Sequence, residues 1–119
     1  MAAAQRLMRR HTIRHLPVLN AAGNLLGVVS QRDLYFIESL TDVSPESIPV
    51  SEAMQDDVLA VAPHDLLSSV ARTMAETRIG CVVVMKDAEV VGIFTTIDAL
   101  RALTEVTELE DEILASGPG

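Results

Sequence analysis

Apolar and polar positions fall into short blocks along the chain, and each block has its own period. Ala4, Leu7, Met8 and His11 recur at helical spacing, which predicts a helix over Ala2 to His11. Thr12 to Leu19 is β-rich around Ile13, Leu16 and Val18. Pro17 has no N–H and suits an edge strand or a strand end. Asn20-Ala21-Ala22-Gly23-Asn24 reads as a hairpin turn, with Leu25 to Val29 as the return strand. A helix follows from Gln31 to Leu40. Thr41 to Pro49, with two Pro and two Ser, reads as a linker. Val50 to Gln55 is predicted as a short helical turn, and Val58 to Ala62 as a short strand stopped by Pro63. A helix from Asp65 through Glu76 turns Leu66, Leu67, Val70, Ala71 and Met74 inward. Gly80 to Met85 and Val90 to Thr95 form a second hairpin around Lys86-Asp87-Ala88-Glu89. The last helix starts at Thr96 or Ile97 and reaches an acidic stretch from Glu105 to Glu112, which either continues it or frays. Residues 116–119 are expected to be disordered.

This order of elements occurs twice. Met8 and Ile13 match Met74 and Ile79 at an offset of 66, and Gly27 and Asp33 match Gly92 and Asp98 at an offset of 65. One residue is therefore lost in the intervening turn. A repeated unit implies two similar subdomains packed on each other. The second unit reads strand, helix, hairpin, helix. The first lacks its opening strand, because Met1 aligns with Leu67 and nothing matches Val50 to Leu66. The chain is expected to be a fragment, or a protein that starts inside its first repeat. The boundaries are 1–40 for the first unit, 41–49 for the linker, 50–103 for the second unit and 104–119 for an acidic tail.

Composition narrows the function classes. The 119 residues suffice for one domain with a modest core. With no Trp, one Tyr and two Phe, that core is aliphatic and platforms for stacking bases are nearly absent. No apolar run approaches the roughly 20 residues of a membrane span. The single cysteine, Cys81, cannot form an internal disulfide, so a reduced, cytoplasmic setting is expected. The net charge of −8 argues against general nucleic-acid binding. Its distribution is uneven. Residues 1–32 carry five Arg and no acid, whereas residues 33–119 carry four Lys or Arg against 17 Asp or Glu. Either the halves or subunits pair through this charge, or part of the basic segment faces an anionic ligand.

Two elements carry candidate chemistry. Ser30-x-x-Asp33 and Thr95-x-x-Asp98 each sit where a strand enters a helix. An Asp there can accept hydrogen bonds from the vicinal hydroxyls of a ribose. A hydroxyl and free N–H groups at the helix start suit a phosphate. The same spacing also makes a helix capping box, and the two roles can coexist. His11, His15 and His64 share no metal spacing, so no metal site is expected. Cys81 reads as core, Gly23 as a turn position and Gly27 as a strand-packing position. No nucleophile–base pair or catalytic dyad appears, so the chain is not expected to be an enzyme.

Taken in order, Met8, Ile13-Arg14-His15-Leu16-Pro17-Val18 and Gly27-Val28-Val29-Ser30-Gln31-Arg32-Asp33-Leu34 resemble one CBS domain. Ser51-Glu52-Ala53-Met54, Val58 to Pro63, Met74 and Gly92 to Asp98 resemble a second. The resemblance implies an α/β (α+β) fold of two β-α-β-β-α units packed by pseudo-twofold symmetry, the first without its opening strand. It implies a regulatory module, not an enzyme, that binds an adenosine-containing ligand such as AMP, ADP, ATP, S-adenosylmethionine or NAD. It also implies a homodimer, with the helices ending near Leu40 and Leu103 as contact surfaces, coupled to an effector domain. Each of two clefts would mix the units. The first would take Val28, Ser30, Arg32 and Asp33 from unit one, with Val58, Leu59 and Ile79 from unit two. Cys81 stands where a basic residue is usual, as at His15, and Arg32 is expected to compensate as phosphate partner. The second cleft would use Ile13, His15 and Pro17 against Ile93, Thr95 and Asp98. It is expected to be open, or filled by a neighbouring chain, because its opening strand is missing. The alternative reading is a dimerisation or scaffold module that binds no nucleotide.

Overall fold

The repeated Met and Ile positions are explained by how two helices stop. In the computed structural model, which describes residues 1–115, α1 spans Ala2–His11 and α3 spans Leu67–Thr77. Each ends on a residue other than glycine in the left-handed conformation, Thr12 at φ 54° and Arg78 at φ 58°. The Ile13 N–H then donates to the Met8 carbonyl at 3.0 Å, and the Ile79 N–H donates to the Met74 carbonyl at 3.1 Å. These six-to-one bonds satisfy carbonyls that the helix end would leave bare. Met8 and Met74 are both buried, so each anchors its helix while its carbonyl launches the next strand.

The rest of each unit follows in the same sequence. β1 (His15–Leu19) pairs antiparallel with β2 (Leu25–Ser30), and α2 (Gln31–Leu40) follows. In the second unit β3 (Ala60–Val61) lies parallel to β4 (Cys81–Lys86), which pairs antiparallel with β5 (Glu89–Thr95). α4 then runs from Thr96 to Ala115. The molecule is a mixed α+β structure of two β-α-β-β-α units, the first without its opening strand. In unit two the Val83 N–H holds β3 by donating to the Leu59 carbonyl at 2.9 Å. The matching residue of unit one is Pro17, which has no N–H to donate.

Each unit has its own aliphatic core. In the first, Met8, Val29 and Leu34 are almost fully enclosed, with Met1, Ala4, Ile48 and Ala53 around them. In the second, Val70, Met74 and Val82 are packed by Leu59, Val61, Ile79 and Phe94. β-strand alternation turns Val28 and Val83 to the opposite faces of their sheets, and both are buried there as well.

The elements differ from the sequence expectations in a few places. The segment expected to be a plain linker folds into a 3₁₀ turn at Pro45–Ser47 and sends Ile48 into the first core. The helical turn expected over Val50 to Gln55 is a 3₁₀ turn at Val50–Glu52. α3 begins at Leu67, not Asp65. The Asp65 carboxylate instead closes the turn around Pro63 by accepting from the Ala62 N–H at 2.8 Å. The second hairpin turns on two residues, Asp87 and Ala88, both at positive φ. The acidic stretch continues α4 through to Ala115. The disorder expected of residues 116–119 lies outside the described residues.

Among the described residues, an isolated bridge joins the units through the backbone. Val28 and Gln55 exchange N–H to carbonyl bonds at 2.9 and 2.8 Å, an isolated antiparallel bridge. It forms only because Gly27 has no side chain. A Cβ there would lie 2.4 Å from the Gln55 carbonyl oxygen and 3.1 Å from Met54 Sδ. Gly27→Ala must therefore break the bridge or shift the backbone, and should lower unfolding free energy by about 1–3 kcal/mol in urea titration. Ala88→Gly, which relieves a left-handed alanine, should act oppositely and add up to about 1 kcal/mol in the same assay.

Candidate functional site

The bridge also builds a cavity. Where β2 enters α2, Ser30 caps the helix. Its Oγ accepts from the Asp33 N–H at 3.0 Å, and Asp33 Oδ2 accepts from the Ser30 N–H at 3.0 Å. The expected capping box is thus formed, and it fixes the Asp33 side chain. The other oxygen, Oδ1, accepts from Gln55 Nε2 at 3.3 Å. Gln55 therefore binds unit one twice, through its main chain at Val28 and through its carboxamide at Asp33.

From Gln55 the chain runs along the far wall. A cavity of about 340 Å³ opens between the units, lined by His15, Val28, Ser30 and Asp33 on one side. Gln55, Asp57, Val58, Ile79, Gly80 and Cys81 line the other. This is near the lower limit for small-molecule sites. Val28, Val58 and Ile79 give it apolar surface; the capping residues, Gln55, Asp57 and the Gly80 backbone give it polar edges.

Two titratable groups in the wall are shifted. Burial is the main influence on His15 and lowers its pKa below the ordinary 6.5. Asp33 pulls it partly back up and Arg14 pushes it further down. The imidazole is therefore neutral at pH 7. Burial raises the Cys81 thiol to about 11, with the Asp98 carboxylate adding to the shift. Cys81 is a protonated wall residue at neutral pH, not a nucleophile.

Five of the seven residues expected in the first cleft line this cavity: Val28, Ser30, Asp33, Val58 and Ile79. Leu59 does not. It packs into the second core, since neighbouring residues of an extended segment point to opposite sides. Arg32 is exposed and opens, with Arg14 and Tyr35, onto a separate outer cavity that shares only Ser30 with this one. His15, expected in the second cleft, lines the first. Its neighbour Pro17 stays in β1, paired with Val28. Thr95 and Asp98 repeat the capping arrangement on α4, with the Thr95 N–H donating to Asp98 Oδ2 at 2.9 Å. Ile13, Ile93, Thr95 and Asp98 do not line the cavity. Gln55, Asp57 and Gly80 were not expected there; Cys81 lines the cavity at the position where a basic residue was expected to be missing. Among the described residues, no group of three or more His, Cys, Asp or Glu could hold a metal. No helix among them is long and apolar enough to cross a membrane.

Comparison with known proteins gives a consistent result. A family model described as the CBS domain matches residues 1–38 and again 50–105. Over 110 residues the chain is 34% identical to an inosine-5'-monophosphate dehydrogenase from Korarchaeum cryptofilum. That match takes in 92% of this chain and 22% of the enzyme, so the chain spans about a fifth of that relative. Among solved structures, a Vibrio cholerae protein named for acetoin utilization (AcuB) is similar over 98% of this chain and 83% of that one. Its TM-score is 0.78 at 37% identity. The CBS domain pair of protein MJ0100, solved with 5'-methylthioadenosine and S-adenosyl-L-methionine, gives a TM-score of 0.76 at 25% identity. It covers 88% of this chain and 82% of that one. CBSX2, solved with AMP, gives 0.72 at 26% identity over 90% and 83%.

The His15 shift has a consequence for pH. A histidine whose folded pKa is depressed supports the fold above its unfolded value near 6.5, and that support is lost as pH falls through the folded value. Acidification from pH 7.5 to 5 should therefore lower the melting temperature less in His15→Gln than in the wild type.

Proposed function

This chain belongs to the CBS domain family, and from that premise we propose that it is a regulatory module binding an adenosine-containing ligand between its two units. The observation that carries the proposal is the cavity itself. Unit one contributes Ser30, Asp33 and Val28 to it, and unit two contributes Gln55, Asp57, Val58 and Ile79, so both units turn polar and apolar groups into one space. Related CBS pairs have been solved with AMP and with S-adenosyl-L-methionine, which supports the ligand class. In this reading Asp33 accepts the ribose hydroxyls while Val28, Val58 and Ile79 enclose the base. Asp33 can do both jobs because its capping bond uses Oδ2 while Oδ1 meets only the Gln55 carboxamide.

The ligand acts by bridging the units. It can shift the module only in so far as it binds one arrangement of them more tightly than another. In this reading the module regulates and carries out no chemistry of its own. An attached or separate effector domain would read the change. We further propose that the module works as a homodimer in the cytoplasm. Tyr35, Phe36 and Leu40 on α2 and Ile97, Leu100 and Leu103 on α4 are exposed. These are the helices expected to meet a second copy, and apolar surface of this kind marks association sites. The lone reduced cysteine supports the location.

A ligand panel in a melting assay tests the reading. A true ligand at 100 times its dissociation constant adds about 2.7 kcal/mol, a shift of several degrees. Asp33→Asn, which keeps an oxygen for the cap, should abolish that shift, and Asp98→Asn should preserve it. Equal loss in both variants would contradict a single working cleft. No shift with any adenosine compound would favour the dimerisation or scaffold role.

A further inference from the structure

We infer that the cleft selects adenosine ligands that carry no phosphate, with neutral or positively charged groups on the 5′ side. This rests on the adenosine reading above and deepens it. The cavity wall contains two carboxylates, Asp33 from unit one and Asp57 from the segment entering unit two. No Lys or Arg lines it. Its one basic side chain, His15, is held neutral by burial. A third carboxylate, Asp98, stands close enough behind Cys81 to raise its thiol pKa.

The helix start offers little to an anion either. The positive end of a helix binds phosphate through bare N–H groups. At α2 the Gln31 N–H already donates to the Arg14 carbonyl at 2.8 Å, and the Asp33 N–H donates to Ser30 Oγ at 3.0 Å. The Asp33 carboxylate itself occupies the terminus. On α4 the Thr96 N–H likewise donates to the Gly80 carbonyl at 3.0 Å. A phosphate entering the cavity would meet two carboxylates, and two of the first three N–H groups of α2 already have partners. A sulfonium or ammonium group would meet the same carboxylates with attraction, strengthened where the walls exclude water.

The competing route runs past Ser30 to the outer cavity, where Arg14 and Arg32 are exposed. A nucleotide using it would gain from its phosphate and depend on Arg32. Isothermal titration with adenosine, 5'-methylthioadenosine, S-adenosyl-L-methionine, AMP and ATP separates the two. The inference expects S-adenosyl-L-methionine or 5'-methylthioadenosine to bind best. It expects AMP to bind at least tenfold more weakly than adenosine, and ATP more weakly still. Added salt should narrow the gap, since it screens the repulsion. Asp57→Asn should raise affinity for AMP relative to adenosine, and Arg32→Ala should change neither. AMP or ATP binding more tightly than adenosine, with loss in Arg32→Ala, would overturn the selectivity and leave the adenosine reading standing. Failure of every adenosine compound would overturn both.

Discussion

Two hydrogen bonds between Val28 and Gln55 hold the approach to the second unit against the sheet of the first. Each unit has a small core of its own, and neither core encloses the other. The bridge, together with Ile48 and Ala53 packed in the first core just before it, fixes where the following wall residues run. Val28 on one side and Gln55 on the other are themselves wall residues, and Asp57 and Val58 follow within three positions. The Gln55 carboxamide then reaches Asp33 and ties the bridge to the helix cap. The condition for all of this is the bare Cα of Gly27, since a side chain there would run into the Gln55 carbonyl.

The two units use the same local devices for unequal ends. Left-handed residues stop α1 and α3, and a hydroxyl–carboxylate cap starts α2 and α4. These are structural solutions, and they would be needed with no ligand at all. Only in unit one does the cap open onto the cavity. The difference lies in what packs nearby: Gln55, Asp57 and Val58 stand opposite Ser30 and Asp33, whereas Thr95 and Asp98 do not line the cavity. Repetition in the sequence thus places the two caps in unequal surroundings, and the proposed site takes only the first of them.

Much of the fold was legible because periodicity reports burial directly. The Met8–Ile13 and Met74–Ile79 pairs, the hairpins and the Ser30–Asp33 cap were all readable as spacing. What was hidden depended on contacts between distant residues. Leu59 is expected beside Val58 in the cleft, but in the extended approach to β3 the two point to opposite sides, and Leu59 packs into the second core. Arg32 was expected as a phosphate partner, yet the second helical position turns it to the outer surface. Gln55 gave no signal by itself. Its partner did, because a glycine inside a strand often marks another backbone passing close by. The sequence marks Gly27 as a packing position, and only the tertiary structure supplies the Gln55 carbonyl it packs against.

The proposed ligand cleft spans the Val28–Gln55 bridge and draws on both units. Amide chemical shifts of the isotope-labelled chain, recorded during titration with S-adenosyl-L-methionine, test it most directly. Saturable shifts are expected at Val28, Ser30, Gln55, Val58 and Gly80, on both walls together, with Ile13 and Ile93 unmoved. Shifts centred on Ile13, Ile93 and Asp98, or confined to one unit, would contradict it.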